Sequence, residues 1–205
     1  IDDIIAAGVF LENAELTTII DRLRSKKALV LQGPPGVGKT FIAKKLAYAL
    51  MEETDNDRLE MVQFHQSYSY DDFVRGYRPD PERAGSFRLQ NGVFYEFCQK
   101  AVADPDQEYV FIIDEINRGN LSSIFGELLM LIEADKRGPG FAVPLIYRNP
   151  AEPRFYIPAN LYLIGLMNLA DRSLAMVDYA LRRRFAFVTL RPQYGSPVFR
   201  QWLLD

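Results

Sequence analysis

The octapeptide GPPGVGKT at positions 33–40 places glycines, a lysine and a threonine in the pattern G-x-x-x-x-G-K-[ST]. An apolar run, ALVLQ at 28–32, precedes it, and a segment at 39–51 with apolar residues at helical spacing follows it. A strand that enters a glycine-rich turn and leaves as a helix points backbone N–H groups and the positive end of the helix dipole at one place. The octapeptide therefore predicts a phosphate-binding loop between a buried strand and a helix.

Each residue type in this loop has an expected task. The glycines let the backbone curl around phosphate oxygens, Lys39 is expected to reach the β and γ phosphates, and the Thr40 hydroxyl is expected to ligate Mg²⁺. The predicted nucleotide-binding residues are Gly33, Pro34, Pro35, Gly36, Val37, Gly38, Lys39, Thr40, Phe41 and Asp114.

Polar residues at the ends of two further apolar runs complete a candidate nucleotide site. VFIIDE places Asp114 as a direct or water-mediated Mg²⁺ partner, and Glu115 as the base or the orienter of the attacking water. Asn168 ends the run LIGLM and is expected to sense the γ-phosphate, with a helix cap as the alternative. Asp171 is a helix cap, a site residue or both.

Buried apolar runs that alternate with helical segments predict a doubly wound α/β domain, with a parallel sheet between helices. We expect residues 1–27 to form a lead-in with one helix at 13–24, and residues 28–205 to form the nucleotide-binding core. Asn91-Gly92 is a hairpin-turn signal. A second hairpin is expected within 136–160. The predicted strands are 28–32, 61–65, 109–114, 161–167 and 185–190, and helices are predicted at 39–51, from the Asn91-Gly92 turn to about 103, and at 120–135.

Composition excludes several classes of protein. The net charge of −3 argues against a nonspecific polyanion binder, and the apolar runs are far shorter than the ~20 residues of a membrane-spanning helix. No leader-like segment opens the sequence, so a cytoplasmic location is expected. The single cysteine, Cys98, lies in an apolar-periodic stretch and is expected to be buried and inert.

The order of phosphate loop, IIDEINR, strand-end asparagine and ALRRRF resembles the AAA+ ATPase superfamily. Within it, the chain is similar to the McrB branch, the GTP-dependent motor subunits of modified-cytosine restriction systems. The strings that carry this similarity are MVQFHQSYSYDDFVRGYRP, FIIDEINRGNLSSIFGELLMLIE, IGLMNLADRS and VDYALRRRF.

The resemblance implies an αβα core with a hairpin at 86–94 inside the second helical element and another hairpin before the sensor strand. It also implies a ring, usually a hexamer, with nucleotide between subunits, GTP preferred over ATP, and a McrC-type nuclease partner. DNA would be engaged through the assembled complex and a separate N-terminal domain that recognises methylated DNA. We expect no modified-cytosine specificity from residues 1–205 themselves.

Three departures from the family pattern are visible. Leu169 stands where the sensor signature M-N-T-A-D has threonine, the chain ends before a helical lid is complete, and no N-K-x-D guanine reader occurs. Base preference therefore follows from the resemblance alone.

The arginine triplet in ALRRRF occupies the position from which AAA+ domains extend arginine fingers. A planar, permanently charged guanidinium suits phosphate oxygens on which charge develops. Arg182 and Arg183 are assigned to the neighbouring subunit's triphosphate, with the choice between them open, and Arg184 is assigned to structural support. A basic helix C-terminus is the alternative for one of the three.

Four further residues or segments are expected to have mainly structural roles. For Arg118 three alternatives are open: it pairs with a carboxylate, it faces a neighbouring subunit, or it is solvated. His65 is expected to be structural, the aromatic cluster at 64–77 to be packed, and KRGPG at 136–140 to be a solvated loop tip, with a pore-facing position as the alternative.

The functional prediction is a ring-forming nucleoside triphosphatase, GTP-preferring and active mainly when assembled. The alternatives are an ATP-dependent remodeller of the MoxR or midasin type and a nucleotide-gated scaffold with little hydrolysis of its own.

Overall fold

A computed structural model describes residues 13–169 and 182–192. The helices are α1 (Asn13–Lys26), α2 (Lys39–Met51), α3 (Tyr70–Phe73), α4 (Val93–Ala103) and α5 (Leu121–Phe125). The strands are β1 (Ala28–Gly33), β2 (Leu59–Gln63), β3 (Arg75–Pro79), β4 (Phe87–Asn91), β5 (Tyr109–Asp114), β6 (Leu161–Asn168) and β7 (Ala186–Thr189). Short 3₁₀ turns lie at Ile116–Arg118, Gly126–Ile132, Ala134–Lys136 and Pro139–Phe141.

Five parallel strands form the main sheet in the order β2-β5-β6-β1-β7. In its register Gly33 lies opposite Asn168, and Gln63 lies opposite Asp114. Because parallel strands end at the same edge of the sheet, the ends of β1, β5 and β6 meet there. This edge carries the predicted site.

Alternate residues of β1 point to two separate cores. Leu29 and Leu31 pack with α1 and α2 residues such as Leu16 and Leu46, whereas Val30 packs on the opposite side among aromatic residues. Helices therefore cover both faces of the sheet, which confirms the predicted αβα class.

Within the aromatic cluster at 64–77, the predicted packing role is confirmed for Phe64 and Phe73. Phe73 is fully buried, stacks on Phe94 with ring centroids 4.7 Å apart, and makes edge contacts with Phe111 at 5.7 Å and Phe125 at 4.8 Å. Aromatic pairs prefer such offset and edge geometries, so Phe73 and its partners belong to the core. His65 and Tyr77 of the same cluster are exposed.

The hairpin inserted between α3 and α4 is present, but its predicted bounds are wrong. β3 pairs antiparallel with β4 and Pro79 lies opposite Phe87, so the chain reverses between these residues. Asn91-Gly92 is therefore not the turn, and Gly92 instead caps α4. A Cβ on Gly92 would lie 2.4 Å from the carbonyl carbon of Phe73, so a close backbone approach requires glycine here.

The helix predicted over 120–135 is interrupted. Asn120 caps it, since its side-chain oxygen accepts a hydrogen bond from the Ser123 N–H at 3.1 Å, but α5 ends at Phe125. Gly126 has φ 51° and ψ −129°, and the chain continues to Ile132 as 3₁₀ turns. Periods of 3.0 and 3.6 residues place apolar side chains on similar faces, so the apolar pattern did not reveal the change.

The region expected to hold a second hairpin contains one antiparallel bridge, in which Val143 and Phe155 exchange N–H···O bonds of 2.8 Å. The interpretation of 136–140 as a solvated loop tip is wrong for Arg137. Its side chain is buried and donates to the carbonyls of Ile132, at 3.1 and 2.8 Å, and Leu161, at 3.3 Å. Burial lowers the pKa of Arg137 to about 10.

Cys98 is fully buried, as predicted, and burial raises the pKa of its thiol. Among the described helices, none has both the length and the apolar composition needed to cross a bilayer.

Candidate functional site: a nucleotide pocket at the sheet edge

The phosphate loop joins β1 to α2 through backbone conformations that glycine adopts readily. Gly36 and Gly38 have φ of 80° and 78°, and a Cβ on either would meet nothing within 4 Å. Glycine is thus needed there for its dihedral angles. At Gly33 the reason is space, since a Cβ would lie 2.7 Å from the carbonyl oxygen of Leu190.

Lys39 is the first residue of α2 and its side chain turns back into the loop. The residue is 8% exposed, and Nζ donates to the carbonyls of Gly33 at 3.2 Å and Pro34 at 2.9 Å and to Asn168 Oδ1 at 2.5 Å. These acceptors occupy all three N–H donors of the ammonium. Burial lowers the pKa of Lys39, and the charges of Glu115 and Asp114 oppose that shift.

The two predicted metal ligands lie on elements that lead to this edge. Thr40 is exposed in the first turn of α2, and half-buried Asp114 ends β5, where Oδ1 accepts the Glu115 N–H at 2.9 Å. Asp114 Oδ2 makes no hydrogen bond to the part of the chain that the structure describes. Within residues 13–169 and 182–192 no group of three His, Cys, Asp or Glu side chains could hold a metal alone. A hydroxyl and a carboxylate suit a hard cation that takes its other ligands from water and phosphate.

Glu115 follows β5 in a left-handed backbone conformation, φ 50° and ψ 42°. Non-glycine residues adopt it uncommonly, and it often marks functional sites. The residue is 9% exposed; Oε1 accepts from Asn168 Nδ2 at 2.5 Å and Oε2 accepts from Arg118 Nε at 3.2 Å. Arg118 thus pairs with a carboxylate, one of the expected alternatives, while its side chain stays 43% exposed.

Asn168 links the lysine to the glutamate. It ends β6 opposite Gly33, where its amide accepts from Lys39 and donates to Glu115. Only one orientation of the amide serves both a cationic donor and an anionic acceptor, so the contacts determine it. Lys39, Asn168 and Glu115 therefore form a continuous hydrogen-bonded chain, which the sequence pattern did not predict.

Phe41, Leu169 and His65, which the sequence also singled out, are all exposed. Phe41 is 43% exposed with Lys45 Nζ 5.6 Å from its ring centroid, and Leu169 is 48% exposed while its N–H donates to the Gly33 carbonyl at 3.2 Å. Asp171 lies outside the described residues. His65 is exposed and contacts the Tyr68 ring edge-on at 5.4 Å.

One carboxylate pairs with two of the three arginines in the triplet. Glu133 Oε1 lies 3.2 Å from Arg184 Nε and 3.7 Å from Arg183 Nη2. Arg184 is buried, whereas Arg182 and Arg183 are exposed. Among the described residues, neither exposed arginine makes an ion pair or hydrogen bond with the hydrogen-bonded chain of its own subunit. Sequence reasoning missed Glu133, because nothing near it in the chain marks its distant partners.

Comparisons with known proteins support this fold. The family model "AAA domain (dynein-related subfamily)" matches residues 28–185. The chain is 56% identical over 197 residues to the Type IV methyl-directed restriction enzyme EcoKMcrB subunit of Escherichia coli K12, which covers 96% of this chain and 42% of that protein. It is 24% identical over 209 residues to the Type II restriction enzyme BsuMI component YdiS of Bacillus subtilis 168, covering 86% of this chain and 60% of that one.

The chain thus spans about half the length of the curated relatives it matches. The crystal structure of a candidate ATPase from Cytophaga hutchinsonii superposes with a TM-score of 0.53 at 13% identity, covering 99% of this chain and 54% of that one. At this identity the match supports the fold alone.

Proposed function

The chain belongs to the dynein-related subfamily of AAA domains, and on this premise we propose that it is a ring-forming nucleoside triphosphatase that prefers GTP and drives a modification-dependent restriction complex. The resemblance to the McrB branch is confirmed by the identity to the E. coli subunit. The proposal includes a hexameric ring and a McrC-type nuclease partner, with DNA engaged through the whole complex.

Phosphate binding follows from the loop and from Lys39. In the described structure the ammonium is satisfied by two carbonyls and an amide oxygen. Phosphate oxygens carry more negative charge than these acceptors and make stronger charge-assisted hydrogen bonds. A triphosphate in the loop would therefore draw Lys39 toward the β and γ phosphates, and would release Asn168 from the lysine.

The released amide would be free to orient a hydrolytic water. Asn168 and Glu115 are in contact at 2.5 Å, so a water held by both would have a carboxylate to accept its proton and an amide to orient it. Thr40 and Asp114 would hold Mg²⁺, which neutralises negative charge on the phosphate oxygens when bound.

Completion of the site needs a second subunit. The positive charge that phosphoryl transfer requires beside the γ-phosphate is not supplied by Arg182 or Arg183 of the same chain within the described contacts. We assign one of these exposed arginines to the neighbour's triphosphate. A monomer would bind nucleotide but hydrolyse it slowly.

The hydrogen-bonded chain of Lys39, Asn168 and Glu115 carries the proposal, because it joins the phosphate-binding cation to the proton acceptor. The test measures GTP and ATP affinity together with oligomeric mass. We expect GTP to bind more tightly and to shift the mass to that of a hexamer. Tighter binding of ATP would favour the MoxR or midasin type of remodeller. Stoichiometric binding with negligible turnover that a McrC-type partner restores would favour a nucleotide-gated scaffold.

A further inference from the structure

The three large apolar side chains that are most exposed among the described residues lie in two segments. Phe87 is 66% exposed and Tyr77 is 51% exposed on the hairpin at 75–91, and Ile146 is 65% exposed on the loop at 143–155. Folding gains nothing from apolar surface that is left in water. Exposed apolar side chains that collect in one place mark binding surfaces on soluble proteins.

The hairpin and the loop contact each other at these side chains. Because Tyr77 lies opposite Leu89 in the register, Tyr77 and Phe87 project from the same face of the hairpin. The Tyr77 ring lies edge-on to the Tyr147 ring, with centroids 5.7 Å apart. Ile146 precedes Tyr147 in the chain. We call Tyr77, Phe87, Ile146 and Tyr147 the insertion patch.

The backbone that carries the insertion patch is held in place. Buried Arg75 donates to Asn91 Oδ1 and to Glu152 Oε2, both at 2.7 Å, which ties the hairpin to the loop. Glu127 Oε1 accepts the Ile146 N–H at 3.0 Å. A ligand that binds a surface held in this way loses little affinity to ordering it.

The charges around the insertion patch are mostly positive. The segments 75–91 and 143–155 contain six arginines, three acidic residues and no lysine, although the whole chain has a net charge of −3. Arg88 and Arg148 are exposed, and neither makes an ion pair or a hydrogen bond with the part of the chain that the structure describes. Such arginines near an apolar centre fit a ligand that carries acidic groups.

The composition of the two segments favours a protein ligand over a nucleic acid. Aromatic residues and arginine are enriched in protein interfaces, where lysine is depleted. Proteins that bind phosphate backbones use lysine as well as arginine, and Ile146 has no flat ring on which a base could stack. The exposed isoleucine and the lack of lysine therefore both indicate an apolar protein segment.

We propose that the insertion patch is a docking surface for a partner protein, which binds it through an apolar segment flanked by acidic residues. The inference rests on the partner subunit of the proposed function and concerns a surface outside the nucleotide site. Apolar side chains of the segment cover Tyr77, Phe87 and Ile146, and its carboxylates pair with arginines such as Arg148.

The test measures binding of the McrC-type partner to the full-length protein loaded with a non-hydrolysable nucleotide. Combining Phe87→Ser with Ile146→Ser removes the apolar centre, and we expect the partner Kd to rise about 10-fold or more. Nucleotide hydrolysis without the partner and the urea unfolding midpoint should keep their wild-type values. Met130→Ser, at an exposed apolar position outside both segments, should match the wild type.

A charge reversal tests the acidic part of the segment. Arg148→Glu should weaken partner binding at low salt and should make it less sensitive to added salt, because one screened attraction is lost. Arg22→Glu makes the same change on α1, which packs on the opposite face of the sheet, and should bind as the wild type does. An unchanged Kd for Arg148→Glu at low salt would contradict the proposed acidic flanks.

A benzophenone analogue of phenylalanine at position 87 identifies the occupant by photocrosslinking. The crosslinked peptide should come from the partner and contain apolar residues together with Asp or Glu. Crosslinks to DNA or to a neighbouring copy of this chain, or none at all in a complex that contains the partner, would overturn the proposal.

Two results separate a failure of the docking surface from a failure of the proposed complex. If the wild type does not bind the partner, the complex is wrong and the docking surface falls with it. If the wild type binds and the double variant binds equally well, the complex stands and the docking surface is refuted. Should the double variant not fold, Phe87→Gln alone should raise the Kd by a smaller factor, and an unchanged Kd would refute the surface in the same way.

Discussion

Replacing Glu115 by glutamine separates nucleotide binding from hydrolysis. The carboxylate accepts one hydrogen bond from Asn168 and one from Arg118. Glutamine can accept only one of these bonds through its single oxygen, and its NH₂ group would face the other donor. Losing one such bond to a charged group costs about 1.5–3 kcal/mol, which is less than the 5–15 kcal/mol that typically separates folded from unfolded protein. The variant should therefore fold.

The Glu115→Gln variant should hydrolyse nucleotide much more slowly than the wild type. Loss of a general base typically lowers the rate about 10²- to 10⁴-fold, which corresponds to about 3–5 kcal/mol in the activation free energy. Nucleotide affinity should not weaken, because the substitution removes a negative charge from the neighbourhood of the phosphates. We thus expect an assembled ring that binds nucleotide at least as tightly as the wild type and turns over at least about 100-fold more slowly.

Phosphate release from the assembled complex measures turnover, and titration with a fluorescent nucleotide measures affinity. Glu60→Gln, the same change on β2 of the same sheet, is the matched control and should leave both unchanged. Turnover of Glu115→Gln within a few-fold of the wild type would refute the assignment of the base. Loss of binding together with turnover would show that Glu115 holds the loop instead.

Three further predictions concern burial. Because burial lowers the pKa of Lys39, the unfolded chain holds this proton more tightly than the folded one, so the free energy of unfolding should rise as pH increases from the lowered pKa toward the ordinary 10.5. Urea titrations should show this rise in the wild type relative to Lys39→Met, and equal pH profiles would contradict it. Arg137→Met leaves the carbonyls of Ile132 and Leu161 without their donors and should lower the free energy of unfolding by about 2–5 kcal/mol, a claim that an unchanged urea midpoint would defeat. The Cys98 thiol should react with a thiol reagent only after unfolding, and labelling of the native protein at the rate of a free thiol would disprove its burial.

Prediction from the sequence succeeded where the determining interactions are local. The bounds of α2 and β5 are those predicted, because a glycine-rich loop immediately precedes α2 and a polar residue, Asp114, ends β5. It failed at Gly126 and Gly92. Gly126 is required by its backbone dihedral angles, and Gly92 by the close approach of the Phe73 backbone. The spacing of apolar residues predicts neither constraint.

For the candidate site too, the sequence predicted individual residues but not the contacts between them. Glu115 and Asn168 could be proposed individually because each follows an apolar run, but the sequence did not show that they touch. Lys39 and Asn168 are 129 positions apart and meet only because β1 and β6 pair with Gly33 opposite Asn168.

By itself, the sequence determined the phosphate loop, the layered α/β class and the types of residue at the strand ends, because these depend on short-range geometry and on apolar periodicity. Only the tertiary structure decided which strand ends lie side by side, and hence the hydrogen-bonded chain through Asn168 and the placement of Arg184 against Glu133. Strand order and register arise from packing between segments far apart in the chain. The local pattern of residues in one segment does not identify the distant segments that it will contact.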